Sequence, residues 1–187
     1  MGHGTQVTIL AVGRTYGIAK RADPYIVKVI NSYMDDGGKH VTGLDVPQAI
    51  DVGLEHILEV IRARNLQGKA VVTCSLFFEP GGLGQPVDPL TAIFTKHLAA
   101  LADLGVVWVQ AAGNNGLPVE RDDKVVYLGQ KLPSVLGTDG NSMITVGGTY
   151  DTGRYWPFTS PEGPPGSQTP GSITLWSQAQ DVACINP

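Results

Sequence analysis

Few residues of this 187-residue chain combine a reactive type with a suggestive setting. Histidine is the side chain that ordinarily exchanges protons near neutral pH, and four are present, at positions 3, 40, 56 and 97. His40, His56 and His97 fall in a loop and on two helical stretches, with neither HxxxH nor HExxH spacing, and are expected on helix faces or at the surface. His3, in His3-Gly4-Thr5, signifies nothing alone. Cys74 and Cys184 stand 110 positions apart and match neither a CxxC redox pair nor a zinc pattern, which leaves the compartment and their pairing open. Gly81-Gly82-Leu83-Gly84 is too short for a phosphate-cradling fingerprint, and Asp88 behind it is an anion that opposes phosphate at a helix N-terminus. The histidines and cysteines therefore supply no metal-ligand set by spacing.

The elements that must position such residues belong to one domain. An apolar content of 42% suits a single core, and a formal net charge of −4 without a long basic run gives no footprint for nucleic acid or an anionic membrane surface. No 18 apolar residues run together, and Met1-Gly2-His3-Gly4 shows no basic and apolar leader pattern, so neither a membrane span nor a signal peptide is expected in the chain as it stands. Twenty-four glycines and thirteen prolines punctuate the apolar segments, and Ser160 to Gly171 reads as a surface loop.

Val7 to Val12 is short and apolar, open between helix and strand, whereas Ala22 to Ile30 carries a β-branched run suited to a buried strand. Ile50, Leu54, Ile57, Leu58 and Ile61 recur at helical spacing after an Asp45 cap and Pro47, with a stop at Asn65 to Gly68. Ala70 to Leu76 predicts a second strand. A second helix follows, capped by Asp88, with Pro89 at its first position and Leu90, Ile93, Phe94, Leu98 and Leu101 as its stripe, ending at Gly105. Val106 to Ala112 and Met143 to Val146 predict further strands, Ile173 to Trp176 a weaker one, and Val182 to Cys184 a short edge. This alternation implies an α/β fold of three layers, α/β/α, around a mainly parallel sheet. Sites in such sheets form beyond the carboxyl ends of the strands, which points to Ser75-Leu76 and to Gly113-Asn114.

In chain order, five blocks resemble the subtilisin-like serine peptidases, closest to proteinase K-related members of fungi. They are His3-Gly4-Thr5-Gln6-Val7 with Gly13, Tyr16-Gly17-Ile18 and Val27-Lys28-Val29; Val72 to Leu76; Gly105 to Asn114; Ile144-Thr-Val-Gly-Gly148 with Asp151, Gly153 and Phe158; and Asp181 to Cys184 with Asn186-Pro187. Together they span nearly all of residues 1–187, so the resemblance implies one partial catalytic domain, incomplete at both ends. It implies that His3 matches the base of a Ser-His-Asp triad, and that Asn114 matches the side-chain donor to the charge developing on the attacked carbonyl. Ser75, Leu76, Ala111 and Gly113 then match the segments on which an extended polypeptide substrate lies. The family's aspartate precedes its histidine and its serine follows the last block, so this stretch is expected to hold neither and to be inactive alone. Ser142 before Met143, and Asp151-Thr152-Gly153, imitate the two missing motifs but come in the wrong order.

Phe77 and Phe78 stand where the family has small glycines, which implies a blocked or reshaped cleft rim, and Ile9 replaces a small residue behind the histidine. The rival expectation is a degenerate, non-catalytic binding or decoy module. Family resemblance further implies secretion and allows calcium, although no segment identifies a calcium site.

Overall fold

The structure, a computed structural model, describes residues 2–29, 31–34, 40–43, 46–78, 87–117, 125–137, 142–163, 172–180 and 182. The expected Asp45 cap, Gly81 to Gly84, most of the Ser142-containing loop, and the block from Asp181 apart from Val182 lie outside them. So does the loop beyond residue 163 up to Gly171.

Among the described residues, three α-helices and six strands run in the order α1 (His3–Val12), β1 (Asn31–Met34), β2 (His40–Gly43), α2 (Val46–Ala63), β3 (Val71–Cys74), α3 (Val87–Asp103), β4 (Val107–Ala111), β5 (Met143–Thr149) and β6 (Leu175–Gln178). β1 and β2 form an antiparallel pair that the hydrophobic pattern gave no sign of, and His40 lies in β2 where a loop was expected. The other four strands make one sheet in the order β3-β4-β5-β6, parallel throughout. An α/β fold built on a parallel sheet is therefore what this sequence forms.

Strand alternation and helical periodicity explain where the core sits. Val72, Trp108 and Met143 occupy paired positions across β3, β4 and β5 and share one face. Against it pack Ile50, Leu54, Leu58 and Ile61 of α2 and Leu90, Phe94, Leu98 and Leu101 of α3, all buried. The Phe94 ring meets Trp108 edge-on at 6.3 Å between centroids and Phe78 at 6.0 Å, arrangements that favour aromatic quadrupoles. On the opposite face Val71 is 64% exposed, and Val107, Val109 and Ile144 are only half-buried. α1 buries no residue and takes no part in this core.

The expected buried strand at Ala22 to Ile30 is corrected: residues 22–29 adopt no regular structure, and Ile26 is 69% exposed. β-branched residues favour strands because they pack against a neighbouring strand, and among the described residues none flanks this segment. It lies on α2 instead. Val27 and Val29 turn toward Gly53, where an added Cβ would come within 2.3 Å of a Val29 methyl group. Tyr25 reaches over the same helix, its hydroxyl 2.8 Å from Nε2 of His56 and its ring 5.0 Å from the Arg64 guanidinium. The remaining differences are shifts of element ends by a few residues: β5 runs on to Thr149, β6 begins at Leu175, and α3 begins at Val87.

Candidate functional site

The carboxyl ends of β3 and β4 lie side by side, because Cys74 pairs with Gln110 in parallel register. Beyond Cys74 the chain leaves regular strand, yet it stays tied to β4 through one side chain. Gln110 is wholly buried, and its Nε2 donates to the Leu76 carbonyl at 2.8 Å and to the Ala111 carbonyl at 3.3 Å. Its Oε1 accepts from Trp108 Nε1 at 3.1 Å. Two residues on, Phe78 exchanges both backbone hydrogen bonds with Leu132, at 2.9 and 3.0 Å. In extended chain, successive residues direct their backbone groups to opposite sides. With Leu76 and Phe78 engaged inward, the backbone groups of Ser75 and Phe77 fall on the other side, where no described strand pairs with the edge of β3.

The turn after β4 supplies the second half of the site. Gly113 has φ +90°, a conformation that suits glycine, and Asn114 projects exposed from a bend. Ser160 ties the turn down from both sides: its N–H donates to the Gly113 carbonyl at 3.0 Å, and its Oγ accepts from the Asn115 N–H at 3.1 Å. Beneath lies Lys131, a fully buried lysine. Its Nζ donates to Asn115 Oδ1 at 2.8 Å and to Ser160 Oγ at 2.6 Å, and sits 4.0 Å from the centre of the Phe77 ring.

Of the sequence-predicted site residues, Ser75, Leu76, Ala111, Gly113 and Asn114 thus gather at the carboxyl ends of two adjacent strands. His3 does not join them by any contact. It is exposed at the first position of α1, behind a Gly2 cap with no side-chain hydrogen bond, and no side-chain hydrogen bond, ion pair or ring contact links its imidazole to another described residue. Phe77 and Phe78 have definite places: Phe78 is core, and Phe77 is half-buried under the Lys131 ammonium.

Three residues that hold the site together were not foreseen. The sequence pattern reads Gln110 as one more strand position and says nothing of Lys131, while Ser160 opens the stretch expected as a surface loop. Ser160 is fully buried, which corrects that assignment. The one available signal was polar residues beside apolar runs, which the sequence shares with ordinary loops. His97, expected on a helix face or at the surface, is also fully buried, with Nε2 2.6 Å from Asp51 Oδ1 on α2. Of the two imitation motifs, Asp151-Thr152-Gly153 is an exposed turn closed by the Gly153 N–H on the Tyr150 carbonyl, with Gly153 at φ +77°. Ser142 accepts the Trp108 N–H at its carbonyl, just before β5.

Burial pushes the Cys74 thiol up to about 11, against a lowering contribution from a backbone hydrogen bond at Leu76; at neutral pH it is the unreactive thiol. Among the described residues no group of three or more His, Cys, Asp or Glu could hold a metal ion. No described helix is long and apolar enough to cross a membrane.

No family model matches the chain. A subtilisin-like protease of Coccidioides posadasii (strain C735) is 33% identical over 115 residues, which are 62% of this chain and 24% of that protein. Subtilisin-like protease 9 of Arthroderma benhamiae is 30% identical over 115 residues, with the same shares covered. Among solved structures, an S41 psychrophilic protease superposes with a TM-score of 0.57 at 22% identity, covering 87% of this chain and 45% of that one. Over those 115 residues the chain is similar in sequence to part of a subtilisin-like protease, and it shares the fold of the solved psychrophilic protease. It spans about a quarter of the length of the curated relatives it matches.

Proposed function

We propose that residues 1–187 are part of the catalytic domain of a serine endopeptidase, covering the stretch from its histidine segment to just before its serine segment. What carries this reading is the pairing of two features on adjacent parallel strands. One is an extended segment whose inner backbone groups are engaged by Gln110 and Leu132. The other is a glycine-asparagine turn at the end of the next strand.

A polypeptide substrate laid along Ser75 to Phe77 gains backbone hydrogen bonds in the manner of an added strand. Its scissile carbonyl then faces the Gly113-Asn114 turn, where the Asn114 amide donates to the oxygen as negative charge builds on it. In subtilisin the loss of that one donor costs about 10² to 10³ in kcat. His3 is assigned as the general base that takes the proton of an attacking serine hydroxyl. An extracellular setting belongs to the same proposal.

The polypeptide of residues 1–187 by itself is proposed to have no peptidase activity, since without its serine nucleophile such a triad loses about 2 × 10⁶ in kcat. Two measurements on the purified chain test the reading. A fluorophosphonate probe is expected to label no serine, and a labelled serine would refute the inactivity. Titration with a capped apolar tetrapeptide at millimolar concentration should shift the amide resonances of Ser75 to Phe77 and Gly113 to Asn115. Shifts absent there, or confined to another surface, would refute the assignment of the substrate strand.

A further inference from the structure

Asn114 is exposed and has no hydrogen-bond partner among the described residues, so its own contacts do not fix where its amide points. Its two neighbours are another matter. The Gly113 carbonyl is held by the Ser160 N–H, and the Asn115 N–H is held by Ser160 Oγ. The Asn115 side-chain oxygen is held by the Lys131 ammonium. Every one of these groups is within one hydrogen bond of Lys131 or of Ser160, and the two are bonded to each other at 2.6 Å.

Taking an ammonium out of water costs several kcal/mol unless polar partners replace the solvent. Among the partners that do so here are three from separate segments: Phe77 after β3, Asn115 after β4, and Ser160. These are the segments that build the candidate site. The fit around the charge is close, since a Cβ on Gly113 would stand 2.5 Å from Nζ and 3.2 Å from Ser160 Oγ.

We propose that Lys131, acting through Ser160 and Asn115, is the positioning residue of the Gly113-Asn114 turn: a buried cation that clamps the turn and the Phe77 segment in one arrangement and so sets where the Asn114 amide is presented. Its role as the aim of an oxyanion donor rests on the protease reading; the clamp itself does not. Charge-assisted hydrogen bonds are the strong ones, and the three contacts radiate from one nitrogen, so removing the charge should release the turn while the sheet persists.

The test compares the wild-type chain with K131M, which keeps the length and loses the charge, and with S160A, which keeps the charge and removes the bridging oxygen. Amide hydrogen exchange and the side-chain amide signals of Asn114 and Asn115 are read in all three. In K131M, exchange at the Asn115 amide is expected to rise by about tenfold or more, while protection of Val72, Trp108 and Val109 is unchanged. The Asn114 side-chain pair should move toward its unstructured position. S160A deletes the acceptor of the Asn115 N–H itself, so exchange there should rise at least as much as in K131M. If K131M does not fold, the test rests on the Asn114 side-chain pair in S160A, which should move toward its unstructured position if the clamp holds and stay put if it does not.

Unchanged exchange at Asn115, or a loss of protection spread evenly through β4 and β5, would overturn the clamp. Peptide titration separates the two ideas. If the wild type binds no tetrapeptide but K131M still frees the turn, the clamp stands and the protease reading falls. If both proteins bind it with identical shifts at Gly113 to Asn115, the clamp falls and the reading stands.

Discussion

The side-chain amide of Gln110 donates to the Leu76 carbonyl at 2.8 Å and its oxygen accepts from Trp108 Nε1 at 3.1 Å, so one residue joins the segment after β3 to the core of β4. The Trp108 bond is closed off from water, since Gln110 is wholly buried and Trp108 nearly so, while the Leu76 bond is only part-buried. A buried donor or acceptor stripped of its partner costs its own desolvation. Q110A should therefore destabilise the chain by roughly 1–3 kcal/mol, since it leaves the buried Trp108 Nε1 unpaired and adds a small cavity. Urea titration followed by tryptophan fluorescence measures it. A change below about 0.5 kcal/mol, the range of ordinary surface substitutions, would show that the link is not what holds Leu76.

Gly113 and Gly153 share a positive φ, +90° and +77°, but only Gly113 is crowded, with Nζ of Lys131 2.5 Å from where a Cβ would stand. Around Gly153 the space is open. G153A should cost only the backbone penalty, about 1–2 kcal/mol. G113A adds displacement of a buried ammonium from its partners, and should cost about 3 kcal/mol or more. Thermal unfolding of the two variants side by side decides the ordering, and equal losses would mean that the turn relaxes away from Lys131.

What the sequence revealed and what it concealed divide along a physical line. Helical spacing at Ile50, Leu54, Leu58 and Ile61, and apolar runs at Val106 to Ala112 and Met143 to Val146, announce α2, β4 and β5 because burial of one face dictates the pattern. Gly113-Asn114 was legible for the same reason, since it closes a strand whose end is marked. The polar residues behind the turn were not. Lys131 and Ser160 are brought together from 29 positions apart by tertiary folding, and nothing local distinguishes a buried lysine from a solvated one. Residues 22–29 misled in the opposite direction, since β-branched residues describe a preference for a sheet neighbour and cannot say whether one is present.

That segment makes its own test. An alanine in mid-helix is normally worth about 0.5–1 kcal/mol over glycine, yet a Cβ at Gly53 would lie 2.3 Å from Cγ1 of Val29. Val29 is β-branched and stiff at χ1, so it cannot easily swing aside. G53A should therefore lower stability, or detach residues 22–29 from α2, with the Tyr25 contact to His56 lost as a consequence. V29A relieves the clash, so the G53A/V29A double variant should be more stable than the sum of the single changes requires. Additivity within about 0.5 kcal/mol in a double-mutant cycle would show that the two residues do not meet.

The acid side of the stability profile should belong in part to Asp51. Its carboxylate accepts from His97 Nε2 at 2.6 Å and lies 3.5 Å from Lys96 Nζ, joining α2 to α3. The hydrogen bond from His97 chiefly, with smaller help from the Lys96 and His97 charges against a desolvation cost, holds the carboxyl below the ordinary aspartate value. A carboxyl depressed on folding stabilises the native state above its unfolded value, about pH 4, and loses that contribution as pH falls further toward its folded value. Wild type should thus be more stable than D51N at pH 7, and the gap should narrow steadily below about pH 4. The side chain is 44% exposed, so solvent screens the effect, and added salt should shrink the Lys96 share first. Urea midpoints for both proteins from pH 7 to pH 3 measure the gap. A difference that stays constant with pH would assign the loss in D51N to packing around the buried His97 and away from the charge on Asp51.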